Sequence, residues 1–301
     1  MEFLLKHKVV TVLLISLLAL TGCSSSLVLG KLYDGFGSST AKRFKSYASF
    51  NEAQVKQIDA LAASYHSWHR TTQLERYSAF LRSIVSDVEA TEELSISAAE
   101  SWWGRVRGFS DDMRTCNPLN VSSELLASLS DRQVSQVAAN MRKELNREED
   151  EYRAETPDER LERRVSEISK WGKRSGFSFN DAQTVALRKT LNNQISLGAQ
   201  RFELRRIWME EFILLLSRRN ESGFDNKVTR HIASVWRITQ TAFPNQWGAN
   251  ENLWKVFIKD FINLQSQEQR RRMIGKMTSV ADTLNKLASK NVSAAAVCHI
   301  Q

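Results

Sequence analysis

The hexapeptide SFNEAQ at residues 49–54 returns 129 positions later as SFNDAQ at residues 178–183, with Asp181 in the place of Glu52. In each copy an asparagine stands three residues ahead of a glutamine and directly behind a phenylalanine. An asparagine oxygen so placed accepts from a free amide of a first helical turn. The glutamine reaches back to the asparagine N–H, and the phenylalanine packs as a staple. The phrase is a helix start, written twice. The same grammar recurs as Ser130-x-x-Gln133 after Leu129 and Ser266-x-x-Gln269 near Leu264. With glutamate it gives Ser97-x-x-Glu100 and Thr156-x-x-Glu159, the latter with Pro157 at the favoured first helical position.

Each start opens an amphipathic pattern. After Asn51 no Gly or Pro occurs before Gly104, and Leu74, Tyr77, Leu81, Ile84 and Val88 keep the three-four spacing of one helical face. After Asn180 the stripe Leu187, Leu191, Ile195, Gly198, Phe202, Met209, Phe212, Leu216 runs to the stop signal Asn220-Glu221-Ser222-Gly223. Two unusually long helices are therefore expected. The paired starts lie 79 residues apart in the first instance (51 to 130) and 86 in the second (180 to 266). With only three prolines and twelve glycines and no run of alternating strand residues, the expected fold is all-α, an elongated helical bundle of two related halves. The expected organisation is a signal peptide over 1–22, a lipidated start and tether over 23–48, whose Tyr33, Phe36, Phe44 and Tyr47 offer the alternative of docking on the helices, and one helical half over 49–155. A connecting helix and turn over 156–177 leads to the second half over 178–289 and a flexible tail over 290–301.

Lys6 and Lys8 precede an apolar run from Val9 to Leu20, which is short for a bilayer span of about 20 residues. The competing reading, an uncleaved anchor helix, has to span with that length. The run ends in Leu20-Thr21-Gly22-Cys23, which resembles the lipobox of bacterial lipoproteins. That resemblance implies cleavage before Cys23 and attachment of acyl chains there. Ser24 in place of the aspartate that marks inner-membrane retention implies the periplasmic face of the outer membrane. Cys116 and Cys298 remain as candidates for a disulfide in an oxidising compartment, the alternative being an unpaired thiol in the small-residue tail KNVSAAAVCHIQ.

The formal charge is +8, and loss of residues 1–22 removes Lys6, Lys8 and Glu2 to leave +7. Such an excess suits anionic lipid, lipopolysaccharide phosphates or acidic envelope proteins, and nucleic acid is not expected as a partner in that compartment. The arginine clusters at 205–206, 218–219 and 270–272 sit among glutamates and read as solvated helix faces.

The densest stretch for chemistry is YHSWHRTTQLERY, residues 65–77. His66 and His69 share a helical face with Asp59, yet neither the HExxH spacing nor a Cys/His cluster accompanies them, so no metal or other cofactor is expected. His66, Trp68, His69 and Arg70 are the residues singled out, as a packed or hydrogen-bonded motif. Asp111-Asp112 and Glu210-Glu211 do not make a hydrolytic pair, because neighbours on a helix point about 100° apart. No nucleophile elbow or phosphate-cradling glycine loop is present, and no catalytic residue is assigned.

The lipobox, the Asn51-x-x-Gln54 cap and His66-Ser67-Trp68-His69-Arg70 followed by Leu74 and Tyr77 together resemble an uncharacterised family of gammaproteobacterial envelope lipoproteins. The resemblance implies location and helical fold and supplies no activity. Leu129-Ser130-Asp131-Arg132-Gln133 is also similar, with Ser for Thr, to the LTxxQ repeats of periplasmic helical chaperones. The expectation is a non-enzymatic binding, scaffold or chaperone-like protein of the cell envelope, with a peptidoglycan-active or metal-dependent hydrolase as the alternative.

Overall fold

The computed structural model describes residues 30–290, except 32, together with residue 298. Cys23, the signal peptide and most of the C-terminal tail lie outside the described residues. The described residues are all-α, with no strand among them. The helices are α1 (Phe36–Lys45), α2 (Glu52–Trp68), α3 (Leu74–Ala90), α4 (Ile96–Thr115), α5 (Ser123–Ala127), α6 (Asp131–Ala154) and α7 (Pro157–Arg174). They continue with α8 (Asp181–Asn192), α9 (Gly198–Ser217), α10 (Phe224–Ser234), α11 (Ile238–Ala242), α12 (Pro244–Asn263) and α13 (Gln267–Ala288). None of them is long and apolar enough to cross a membrane.

The repeated phrase does cap two helices, and its serine has a use beyond the cap. The Asn51 and Asn180 oxygens accept from the Gln54 and Gln183 amides at 2.9 and 2.8 Å, and both reciprocal bonds are present. The boxes at Ser130, Thr156 and Ser266 form as well. The boxes then interlock in pairs. Gln133 Nε2 donates to the Ser49 carbonyl and Gln269 Nε2 to the Ser178 carbonyl, each at 2.8 Å. The two glutamines of each pair also touch, Gln133 to Gln54 at 2.7 Å and Gln269 to Gln183 at 3.2 Å. Gln54 and Gln183 are almost wholly buried, so these bonds satisfy amides that water cannot reach. The Ser97 box does not form: Ser95 is the cap, accepting from Ala98, and Glu100 falls outside the third position.

Packing repeats the same plan. α1 lies on α2 and α5 around Ala41, Ile58, Ala62 and Leu125, as α7 lies on α8 and α12 around Val165, Leu187, Leu191 and Phe257. α3 packs along α13 through Leu74, Leu81, Val280 and Leu284, while α9 packs along α6 through Met209, Leu216, Val137 and Met141. α4 meets α12, and α10 meets α5. Each of the two large cores thus takes helices from both halves of the sequence, so neither half closes a core without the other. Burying one such leucine contributes about 1.5–3 kcal/mol.

Two further expectations need correction here. Residues 33–47 are not a free tether: Tyr33 and Ala41 are buried, and α1 occupies the place in the first half that α7 occupies in the second. The second long helix is also broken, at residues 193–197, where Asn250 holds the Ile195 N–H and carbonyl at 2.8 and 2.9 Å in place of helical bonds.

Candidate functional site

His66, Trp68, His69 and Arg70 stand where the first long helix widens. Between α2 and α3 the chain makes a single π-helical stretch, His69–Gln73. A wider turn leaves a carbonyl short of a partner, and here hydroxyls take its place: Thr72 Oγ1 donates to the Trp68 carbonyl at 2.7 Å and Thr71 Oγ1 to the Ser67 carbonyl at 3.0 Å. The helix therefore continues in axis but shifts in register. The shift turns His69, Arg70 and Gln73 inward together, at 0%, 4% and 2% exposure.

The N-terminal segment lies on this turn. Tyr33 OH and His69 Nδ1 are 2.8 Å apart, and the Tyr33 ring lies 4.8 Å from the His66 ring. Arg70 stacks its guanidinium 4.8 Å over Tyr33, donates to Asp34 at 2.5 Å and donates to the Leu287 carbonyl at the end of α13 at 3.2 Å. One buried arginine so fastens both ends of the body, and Lys290 adds a second ion pair to Asp34. On the other side Tyr65, Trp68 and Met113 pack with Phe36 around a disulfide between Cys116 and Cys298, whose Cα atoms are 5.2 Å apart. The Tyr65 hydroxyl donates to Met113 Sδ at 3.4 Å.

The electrostatics favour neutral rings. Burial pushes the His69 imidazole down to about 3, with the charges on His66 and Arg70 acting in the same direction. His66 is lowered by burial first and Arg70 second, against Asp34 and the Tyr33 backbone. Burial raises the Tyr33 and Tyr65 hydroxyls well above their ordinary range. The Nε2 atoms of both histidines are buried without a protein partner. A ring this hard to protonate has little capacity to shuttle protons near neutral pH. Asp59, which the helical spacing placed beside His66, is exposed and paired with Lys45 at 2.5 Å. No three His, Cys, Asp or Glu side chains gather for a metal among the described residues.

Residues 46–238 match the model for DUF6279, a family of unknown function. The chain belongs to this family. No curated protein and no solved structure matches it. The matched region of this DUF6279 protein includes the whole turn at 66–73 and the α6–α9 packing, and it stops before α12 and α13.

The remaining candidates are dispersed. Asp112 pairs with Arg76 at 2.5 Å and Asp111 with Arg237 at 3.0 Å. Glu210 pairs with Arg142 at 2.5 Å, and Glu211 lies 3.8 Å from His231. Asp111, Asp112 and Glu210 each pair with an arginine, and neither acidic doublet is drawn together into a carboxylate pair by these contacts. Of the arginine clusters read as solvated, Arg205 is buried against Glu148 at 2.7 Å, and Arg219 is buried against the Leu129 carbonyl at 2.5 Å. Arg270 donates to the carbonyls of Val88, Thr91 and Glu92 at the end of α3. Sequence reasoning offered docking of Tyr33 on the helices without naming its place, and missed Asp34 and Met113 as partners of the histidine stretch. The adjacent threonines after His69-Arg70 are the local signal that a widened turn was coming.

Proposed function

We propose that this DUF6279 protein is a lipoprotein of the gammaproteobacterial outer membrane, anchored through Cys23, whose periplasmic body is a non-enzymatic binding or scaffold protein with a chaperone-like surface. The observation that carries the reading is the junction at Arg70. The segment leading from the anchor is fixed to the body by Tyr33–His69 and Arg70–Asp34, and the same arginine holds the end of α13. A tether joined this way presents one stiff helical body to its surroundings. Exposed apolar residues on α9, Ile207 and Leu214, lie seven apart on one face, and the net positive charge adds a basic component suited to envelope partners.

Fractionation of cells carrying wild type or Cys23→Ala tests the anchor: release of the variant alone into the soluble periplasm is expected, and equal membrane association of both contradicts it. Crosslinking in intact cells tests the binding role. The expected result is capture of an envelope protein, lipid or glycan. Cleavage of purified peptidoglycan by a body that captures nothing overturns the reading.

A further inference from the structure

The midpoint of the second long helix answers the π-helical turn of the first, and the two differ in charge balance. In the first half Arg70 covers Tyr33 and is matched by Asp34. Beside the break Arg160 of α7 covers Tyr152 of α6 at 3.8 Å, and the Tyr152 ring packs 5.4 Å from Phe202 of α9. Arg201 and Arg205 place their guanidinium carbons 5.5 and 5.6 Å from the Phe202 ring. Arg164 reaches the break itself, donating to Gln194 Oε1 at 2.7 Å. Tyr152 OH contacts Ser196 Oγ at 3.3 Å, and a Cβ at Gly198 would run into the Tyr152 ring, so the backbone of the break is drawn tightly onto this aromatic floor.

The acids do not balance this group. Arg205 has Glu148, and Arg160 and Arg163 share Glu155, with Glu167 also on Arg163. Arg164 and Arg201 have no ion pair among the described residues. Five arginines thus face three glutamates, an excess of two positive charges. The Nε–H groups of Arg160, Arg201 and Arg205 are buried without a hydrogen-bond acceptor. Arg201 sits in the first turn of α9, which begins at Gly198 with neither a side-chain cap nor an acidic residue in that turn. A helix start carries partial positive charge of its own, so a cation here is repelled unless an anion joins it. Arg164 and Arg201 are both pushed down, by burial first and by neighbouring arginines next, with Glu167 opposing the shift at Arg164 and Glu148 and Tyr152 opposing it at Arg201. A guanidinium does not relieve that repulsion by losing its proton.

We propose that the break in the second long helix is a binding site for a phosphate group, held by Arg164 and Arg201 at the start of α9. Two uncompensated cations match a doubly charged phosphate better than a single carboxylate, and guanidinium forks take phosphate oxygens in pairs. The site deepens the binding reading above and rests on it. Lipid headgroups that end in a phosphate monoester and soluble phosphate monoesters share the recognised chemistry.

Calorimetric titration of the full chain with inorganic phosphate, in a buffer free of other polyvalent anions, tests the site. Saturable binding is expected, weakened about tenfold or more in Arg201→Gln and in Arg164→Gln and unchanged in Arg142→Gln, which alters an exposed ion pair on α6. Without phosphate, Arg201→Gln is expected to melt no lower than wild type, since it removes a repelled charge. A purely structural arginine would give a clear fall in melting temperature. Sedimentation of Cys23→Ala chains with phosphatidic acid or phosphatidylcholine vesicles separates the sources: Arg201-dependent binding to the phosphatidic acid vesicles assigns a lipid headgroup, and its absence beside phosphate binding assigns a soluble ester. No saturable phosphate response, equal binding by the Arg201→Gln variant, or a marked fall in its phosphate-free melting temperature overturns the proposal. A chain that captures envelope partners in cells yet gives no phosphate response overturns this site alone.

Discussion

The two long helices start from nearly the same six residues and part company at their midpoints. The first absorbs one extra residue in a π-helical turn and stays continuous into α3. The second stops at Asn192 and restarts at Gly198. Where the chain stays continuous, neutral buried rings and one matched arginine lock the molecule's two ends together. Where it breaks, arginines gather around Tyr152 with too few acids. Two segments that share caps and core faces can differ at one joint, because a joint needs only a way to satisfy a few backbone groups.

The largest effect should come from register. Inserting an alanine after exposed Thr72 adds a residue that the π-helical turn has no further room to absorb and rotates α3 by about 100° relative to α2. Leu74, Tyr77 and Leu81 would leave the face that meets α13. The expected outcome is loss of the cooperative thermal transition and of near-ultraviolet dichroism. A glycine inserted after Asn193, in the broken helix, should cost only about 1–2 kcal/mol, because a loop absorbs it. Equal effects would erase the contrast between the joints.

Next in size is Arg70. Arg70→Met removes a buried ion pair, a carbonyl contact and the stack on Tyr33, and should destabilise by about 3 kcal/mol in urea titrations. It should also speed proteolysis near residues 30–35. A change below about 0.5 kcal/mol would remove Arg70 from its fastening role.

The third prediction concerns pH. His69 has its folded value depressed to about 3 against an ordinary 6.5, so the unfolded chain binds the proton more readily. Its stabilising contribution is complete above about 6.5 and declines as pH falls toward 3, by roughly 1.4 kcal/mol per pH unit. The urea midpoint of wild type should fall across this window, and that of His69→Gln should fall less steeply. His66 is shifted in the same direction, so some slope should remain in the variant. Identical slopes would show that His69 is not what titrates.

The caps give the smallest effects and still separate the halves. Asn51→Ala should cost about 1 kcal/mol. Asn180→Ala should cost more, since Asn180 Nδ2 also donates to the Leu264 carbonyl at 2.8 Å and to Gln269 at 3.0 Å. Chemical denaturation of the two variants side by side checks the order.

The sequence by itself determined the helix starts at Asn51, Ser130, Thr156, Asn180 and Ser266, the apolar faces of α3 and α9, and with them the all-α class. Cap chemistry acts over three residues and helical periodicity over four, so both are written locally. Only the tertiary structure decided which faces meet. α3 crosses to α13 and α6 to α9, pairings between positions some 65 to 200 residues apart that no local pattern encodes. It also decided the partners of His69 and Arg70. Tyr33 and Asp34 lie in the stretch read as tether, and the shift of register at residues 69–73 turned His69 and Arg70 inward to meet them, where burying a charged guanidinium without a partner is costly.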